Sequence, residues 1–262
     1  MSFALKMYFL IDSQPQLLNV NNMSLQWSTT SQHALDHGIK VCVHGRSGAG
    51  KTRLIATAPR PIIASAEAGT LSIASANIPM AVINSLKDLQ EFYDWLRGSH
   101  NAKDFDTVCL DSITEIGEKL LTEEKSGTKD PRKAYGEMQD KITVVIRQFR
   151  DLSGKNVYFS AKTELREQPD GTKLYGPSMP GSKTSQGLPY FFDEFFALCV
   201  GEYDAPQPDG TTKKEQYRYL HTNQDSQYEA KDRSGALDLV EKADLNHIFT
   251  KIRTAFHVAP VQ

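Results

Sequence analysis

With 262 residues, 39% of them hydrophobic, the chain is long enough to bury a full core, and 30 Lys and Arg against 32 Asp and Glu leave a net charge of −2 that excludes a generally basic nucleic-acid coat. Any polyanion contact must therefore be local. No run approaches the roughly 20 apolar residues of a membrane span, and Cys42, Cys109 and Cys199 lie far apart in apolar runs, the pattern of small buried side chains in a reducing cytoplasm and not of metal or redox chemistry.

The chain opens on MSFALKMYFLI, which is apolar but short, with no basic residues ahead of it and no small-residue cleavage site, so a signal peptide is not expected. Residues 1–30 are set apart as an N-terminal segment with three readings: an arm that packs on a neighbouring subunit, an upstream start ahead of Met23, or an edge strand. Residues 31–262 are expected to form one domain.

Ile39 to Val43 reads as a buried strand, and the stretch VCVHGRSGAGKTRLIATA carries it into a glycine-rich loop and then a helical pattern through Leu54, Ile55 and Ala58. The loop, Gly45, Arg46, Ser47, Gly48, Ala49, Gly50, Lys51 and Thr52, fits G-x-x-x-x-G-K-[ST]. Wrapping a polyphosphate requires consecutive N–H groups to point inward, which glycine permits at little cost. The helix starting near Gly50 adds its own unpaired N–H groups. Lys51 reaches the outer phosphates and Thr52 is placed to ligate Mg²⁺, so ATP and Mg²⁺ are the expected cofactors.

Pro59 and Pro61 end that helix, and Ile62 to Ala64 begin a second strand that runs out at Glu67 and Gly69. Ala81 to Ile83 is a third. Ser85 caps a helix whose apolar face is Leu86, Leu89, Phe92, Tyr93 and Leu96, and Phe105 to Asp111 is a fourth strand. Ser112 and Glu115 make a capping-box pattern for the next helix, and a further helix carries Tyr135, Met138, Ile142, Val145, Ile146 and Phe149. Gly154 closes it before a strand from Val157 to Ser160. From Lys162 the pattern turns to β-structure: a hairpin around Pro169-Asp170-Gly171, an aromatic run from Leu188 to Phe196, a second hairpin signal at Pro208-Asp209-Gly210, and strands through Tyr217 to His221 and around Tyr228. A last helix spans about Leu245 to Phe256. Strands alternating with helices imply an α/β fold, a mostly parallel central sheet covered on both faces, with a C-terminal β-extension.

Hydrolysis needs carboxylates at the same sheet edge. The strand ending in Asp111 has the apolar-run-then-acid form of a metal-side carboxylate. The acid that orients or deprotonates water is Glu67, after the second strand, with Glu115 as the alternative.

The segments GRSGAGKT, SAEAGTLSI, DTVCLDSITEI, KNVYFSAKTELRE and GLPYFFDEFFAL together resemble the ATPase core of RecA-type recombinases over roughly residues 38 to 200, most closely the compact phage RecA-like proteins, some of which anneal single strands. The resemblance implies that Glu67 activates water, that Asp111 serves Mg²⁺ and that Lys162 or Thr163 senses the γ-phosphate, in place of the amide usual there. It extends to the run A-K-D-R-S-G. In such assemblies basic residues of one subunit reach the γ-phosphate of the next, which implies that role for Lys231 and Arg233, with ATP between subunits of a ring or filament. It also implies single-stranded DNA along two loops that here contain Lys129, Arg132, Lys133, Arg166, Lys173 and Lys183, with Tyr175 and Tyr190 as stacking faces. A single-strand-binding protein is a further partner this implies.

The expected activity is thus a Mg²⁺-dependent, DNA-stimulated ATPase acting on single-stranded DNA in phage recombination or annealing. Its rivals are a P-loop ATPase or switch that drives protein assembly without DNA pairing, and a nucleotide-binding module with negligible turnover.

Overall fold

The computed structural model describes residues 28–257 apart from Ala68 and Pro169; the apolar N-terminal stretch and the proline of the first hairpin turn lie outside the described residues. A helix not foreseen from the sequence, α1 (Thr30–His37), is capped by the Thr29 hydroxyl, which accepts from Gln32 N at 3.2 Å, and leads into β1 (Lys40–Gly45). The glycine-rich loop follows, then α2 (Lys51–Ile55), β2 (Pro61–Ser65), a 3₁₀ segment (Thr70–Ala76) and β3 (Met80–Val82). In α3 (Leu86–Gly98) the capping box is complete, with Ser85 and Asp88 each satisfying the other's backbone N–H. β4 (Thr107–Asp111) is followed by two helices, α4 (Ile113–Gly127) and α5 (Pro131–Arg150), then by β5 (Asn156–Glu167) and β6 (Lys173–Ser178). A short α6 (Ser182–Gly187) and a 3₁₀ turn (Leu188–Phe191) precede β7 (Glu194–Pro206), β8 (Thr212–His221), β9 (Lys231–Asp232), β10 (Val240–Lys242) and α7 (Leu245–His257).

The ten strands among the described residues join one sheet. Six run parallel in the order β3-β2-β4-β5-β1-β7; β8 continues it antiparallel and β10 pairs with β8. β6 pairs with the outer half of β5, and β9 with the start of β7. This is the expected α/β architecture, a mostly parallel central sheet with helices on both faces and a C-terminal β-extension. Near Tyr228, where a further strand is expected, only a single bridge to Tyr175 forms.

The central strands are near-continuous apolar runs because both faces are covered. Cys42, Ile62, Ala64, Val108, Leu110, Val157 and Phe159 pack on one face with α3, α4 and α5, while Val41, Val43, Ile63, Cys109 and Tyr158 pack on the other with α2 and α7. The three cysteines are buried and free, and burial pushes their thiols up. No described helix is long and apolar enough to cross a membrane.

Two hairpins continue past the carboxyl edge of the sheet. β5 is level with the end of β1 at Lys162, opposite Gly45, and runs on to Glu167 paired with β6; β7 is level with His44 at Ala197 and runs on to Pro206 paired with β8. The glycine-rich loop leaves β1 between them. At the tip of each hairpin a single aspartate closes the turn: Asp170 accepts from Thr172 N at 3.0 Å, and Asp209 from Thr211 N at 3.0 Å.

Candidate nucleotide site

The loop from Arg46 to Gly50 turns tightly, with Ala49 N donating to Arg46 O at 3.2 Å, and both Gly48 (φ 77°) and Gly50 (φ 104°) are left-handed. Side chains there would strain the backbone, and a Cβ on Gly50 would sit 2.7 Å from Arg218 Nε. The helix that follows is shorter than its apolar pattern suggests. α2 ends at Ile55, and a helix this short adds little dipole to the loop it follows. Tyr158, fully buried on β5, braces it by donating to Lys51 O at 3.0 Å.

Lys51 folds back over the loop, its ammonium donating to Gly45 O at 2.8 Å and Arg46 O at 3.2 Å. Desolvation lowers its pKa, against the charges of Glu67 and Asp111, which raise it. Thr52 Oγ1 donates to Asp111 Oδ2 at 2.7 Å, tying the loop helix to the end of β4, and Ser160, within the neighbouring β5, donates to the other carboxylate oxygen. Asp111 is 3% exposed, and burial raises its pKa although the two hydroxyls pull it down. The Asp111–Ser112 peptide is cis.

Glu67 and Asp111 share this edge because β2 pairs with β4, Ser65 lying opposite Asp111; Ala66 N donates to Asp111 O at 2.8 Å. Ser112 Oγ donates to Glu67 Oε1 at 2.5 Å while accepting from Glu115 N at 3.3 Å. The expected capping box is therefore half formed. Glu115 turns away to Lys162, whose ammonium bridges Glu115 at 3.0 Å and Glu118 at 3.1 Å. Those bonds carry Lys162 above its ordinary pKa despite desolvation.

Thr163, the other candidate γ-phosphate sensor, donates to Gly176 O at 3.0 Å and lies 2.9 Å from His44 Nδ1. His44 is buried, its Nε2 is 2.8 Å from Glu229 O, and desolvation holds its pKa down at about 4. Both candidate sensors are thus engaged within the chain.

The donor set suits a small hard cation. The Thr52 hydroxyl meets a carboxylate oxygen, and the buried Asp111 carboxylate has hydroxyl partners in place of an ion pair. Among the described residues no cluster of three or more His, Cys, Asp or Glu is arranged to hold a metal by itself. Mg²⁺ fits this pattern, since it ordinarily takes one or two protein ligands and completes its shell with phosphate and water.

The proposed DNA contacts divide. Lys129, Arg132 and Lys133 are exposed at the corner between α4 and α5, and Lys173 and Lys183 are exposed on β6 and α6. Lys125 lies over the half-exposed Tyr135 ring, 5.3 Å from its centroid, and Tyr190 is 79% exposed. Arg166 differs from expectation. It is paired with Glu229 and its side chain is 14% exposed, so it braces the β5–β6 hairpin and presents no free cation. Tyr175 is also engaged: Arg46 Nη2 donates to its hydroxyl at 2.6 Å, and its ring stacks on Tyr228.

The two residues assigned to act across subunits do not face the same side. Lys231 Nζ donates to Pro189 O and Phe192 O, each at 2.6 Å, capping the 3₁₀ turn, which corrects its reading as a free finger. Arg233 lies 3.4 Å from Asp193, whose N–H bonds to Lys40 O at the start of β1. It therefore sits about one strand length, roughly 17 Å, from the loop of its own chain.

The turn that carries Arg233 is built on a carboxyl pair. Asp232 accepts from Ser234 N (2.8 Å), Gly235 N (3.1 Å) and Leu237 N (3.0 Å), and Glu194, 2% exposed, hydrogen-bonds to it. Desolvation first, then the Asp232 charge, pushes Glu194 up to about 9 from an ordinary 4.5. The folded chain thus keeps a proton that the unfolded chain releases, so this contribution is full below pH 4.5 and is lost as pH rises towards about 9. Each pH unit in that window is worth up to about 1.4 kcal/mol. Glu194→Gln keeps the shape without ionising, and is expected to flatten the fall in melting temperature between about pH 6 and pH 9. An unchanged slope would show that Glu194 is ionised throughout.

A family model described as an AAA domain matches residues 37–234. No curated protein matches the chain. Among solved structures, a KaiC-like protein from the hyperthermophilic archaeon Pyrococcus horikoshii OT3 is similar, at 15% identity and a TM-score of 0.38, over 71% of this chain and 77% of that one.

Proposed function

The chain belongs to the AAA domain family, and on that premise we propose that it binds ATP with Mg²⁺, hydrolyses it, and couples hydrolysis to single-stranded DNA in phage recombination or annealing. The observation that carries the hydrolytic reading is the bridge from Thr52 on the loop to Asp111 on β4, with Glu67 held beside it by Ser112. Thr52 and Asp111 would hold Mg²⁺, which when bound neutralises charge on the phosphate chain. Glu67 orients or deprotonates the attacking water, and Lys51 leaves the loop carbonyls to meet charge developing on the γ-phosphate.

The DNA reading is supported by the exposed cations Lys129, Arg132, Lys133, Lys173 and Lys183 with Tyr135 and Tyr190. Phosphate contacts release counterions, so binding is expected to weaken steeply with salt, and neutralising these five lysines and arginines together lowers both the affinity and the salt slope. ATPase assays with and without single-stranded DNA test the coupling. No oligonucleotide binding at low salt with ATP present would leave the rival, an ATPase or switch driving protein assembly, which the withdrawal of Arg166 into an ion pair favours. In the self-assembly part of the proposal, Arg233 serves the nucleotide of another copy.

A further inference from the structure

Arg218 stands out among the arginines of the described residues. It lies on β8 opposite Val200 of β7, on the same face as Leu220, which is buried with α2 and α7; Tyr217 and Tyr219 alternate to the other face, where their rings lie against each other. That places its half-buried side chain against the glycine-rich loop. Nε donates to Ala49 O at 2.9 Å, and the arm lies so close to Gly50 that a Cβ there would be 3.0 Å from Arg218 Cδ.

Among the described residues, the remaining N–H groups of this guanidinium have no hydrogen-bond partner and no carboxylate forms an ion pair with it. The other half-buried arginines, Arg150 and Arg166, are each paired with an acid, whereas the arginines that lack one, such as Arg53 and Arg132, are exposed. With Nε fixed on Ala49 O, the guanidinium is held against the loop while its Nη groups stay open, and a phosphate bound there would supply the counter-charge it lacks. We propose that Arg218 is a nucleotide-binding residue, acting within its own chain, that takes the phosphates shared by ADP and ATP as its counter-ion.

The position separates it from a γ-phosphate finger. Asp111, Ser160 and Glu67 gather on the β5–β4–β2 side of β1, where the cation and the reacting end of the triphosphate belong. Arg218 arrives from the opposite side, across β7. Its charge therefore falls on the end of the phosphate chain nearer the nucleoside, where it strengthens binding of substrate and product alike.

The inference rests on the nucleotide reading of the loop, and the test separates the two. A fluorescent ADP analogue is titrated into wild type, Arg218→Ala and Arg218→Lys, alongside ATP turnover and melting temperatures with and without ADP. Failure of wild type to bind ADP overturns the reading of the loop itself. If wild type binds, Arg218→Ala is expected to lose roughly tenfold in ADP affinity, the size of a charge-assisted hydrogen bond, with KM for ATP rising in step and kcat affected less. The melting temperature without ligand stays put while the ADP-induced rise shrinks, and Arg218→Lys recovers part of the affinity. The proposal is overturned if Arg218→Ala binds ADP as wild type does, or if kcat falls with ADP affinity intact. It is likewise overturned if lost binding comes with a lower melting temperature of the free protein and no recovery in Arg218→Lys, the pattern of a mere loop brace.

Discussion

Lys51→Ala is expected to lower ATP turnover by roughly 10²–10³-fold, the cost of deleting one group that meets transition-state charge. In the free protein the Lys51 ammonium rests on Gly45 O and Arg46 O, two carbonyls at the mouth of the loop. Those are exchangeable partners: a phosphate offers the same ammonium a full counter-charge in a partly desolvated site. Alanine leaves the carbonyls to water and makes the loop unable to follow charge as it moves onto the γ-phosphate. The fold does not depend on this side chain, because Tyr158 braces the Lys51 carbonyl and Thr52 ties the helix to Asp111. Steady-state phosphate release, with a melting curve as control, measures the effect. Turnover equal to wild type from a folded Lys51→Ala protein would place hydrolysis elsewhere.

Glu67→Gln is expected to separate binding from chemistry: ATP and ADP bind within about twofold of wild type, while kcat falls roughly 10²–10⁴-fold, the range of a lost general base. Glutamine keeps an acceptor for the Ser112 hydroxyl, so the edge of β2 holds its shape while the charge disappears. Glu115→Gln is the matched comparison. Its carboxylate is spent on Lys162, partly exposed, and weakening that pair changes kcat little. Single-turnover hydrolysis with equilibrium binding on both variants decides between the two acids. A large kcat loss in Glu115→Gln with Glu67→Gln active would reverse the assignment.

Much of the site was legible because its signals are local. The spacing of Gly45, Gly50, Lys51 and Thr52 encodes a loop within eight residues, and strand-then-acid at Asp111 and strand-then-Glu67 mark the carboxyl edge of a parallel sheet wherever the strands fall in order. Helix caps are equally local, which is why Ser85 behaves as read. Glu115 shows the limit. The capping pattern with Ser112 is genuine, but Lys162 lies 47 positions away in sequence and offers a charge, and the carboxylate takes the stronger partner.

What the sequence by itself determined is the α/β class, the glycine-rich loop after β1, and the acids Asp111 and Glu67 at the ends of neighbouring strands, each carried by residues within a turn or a strand of one another. What only the tertiary structure decided is which polar groups are spent on each other. Ser160 joins Asp111 because β5 lies beside β4, and Arg166 is withdrawn into Glu229. Lys231 caps carbonyls of a turn, Arg46 meets Tyr175, and Arg218 reaches Ala49 from 169 positions away. A charged side chain looks the same in a sequence whether it faces solvent, an acid or a phosphate. Its partner is chosen by the register of strands that meet only after the chain has folded, and with that partner comes the desolvation that leaves one guanidinium paired and another open for a ligand.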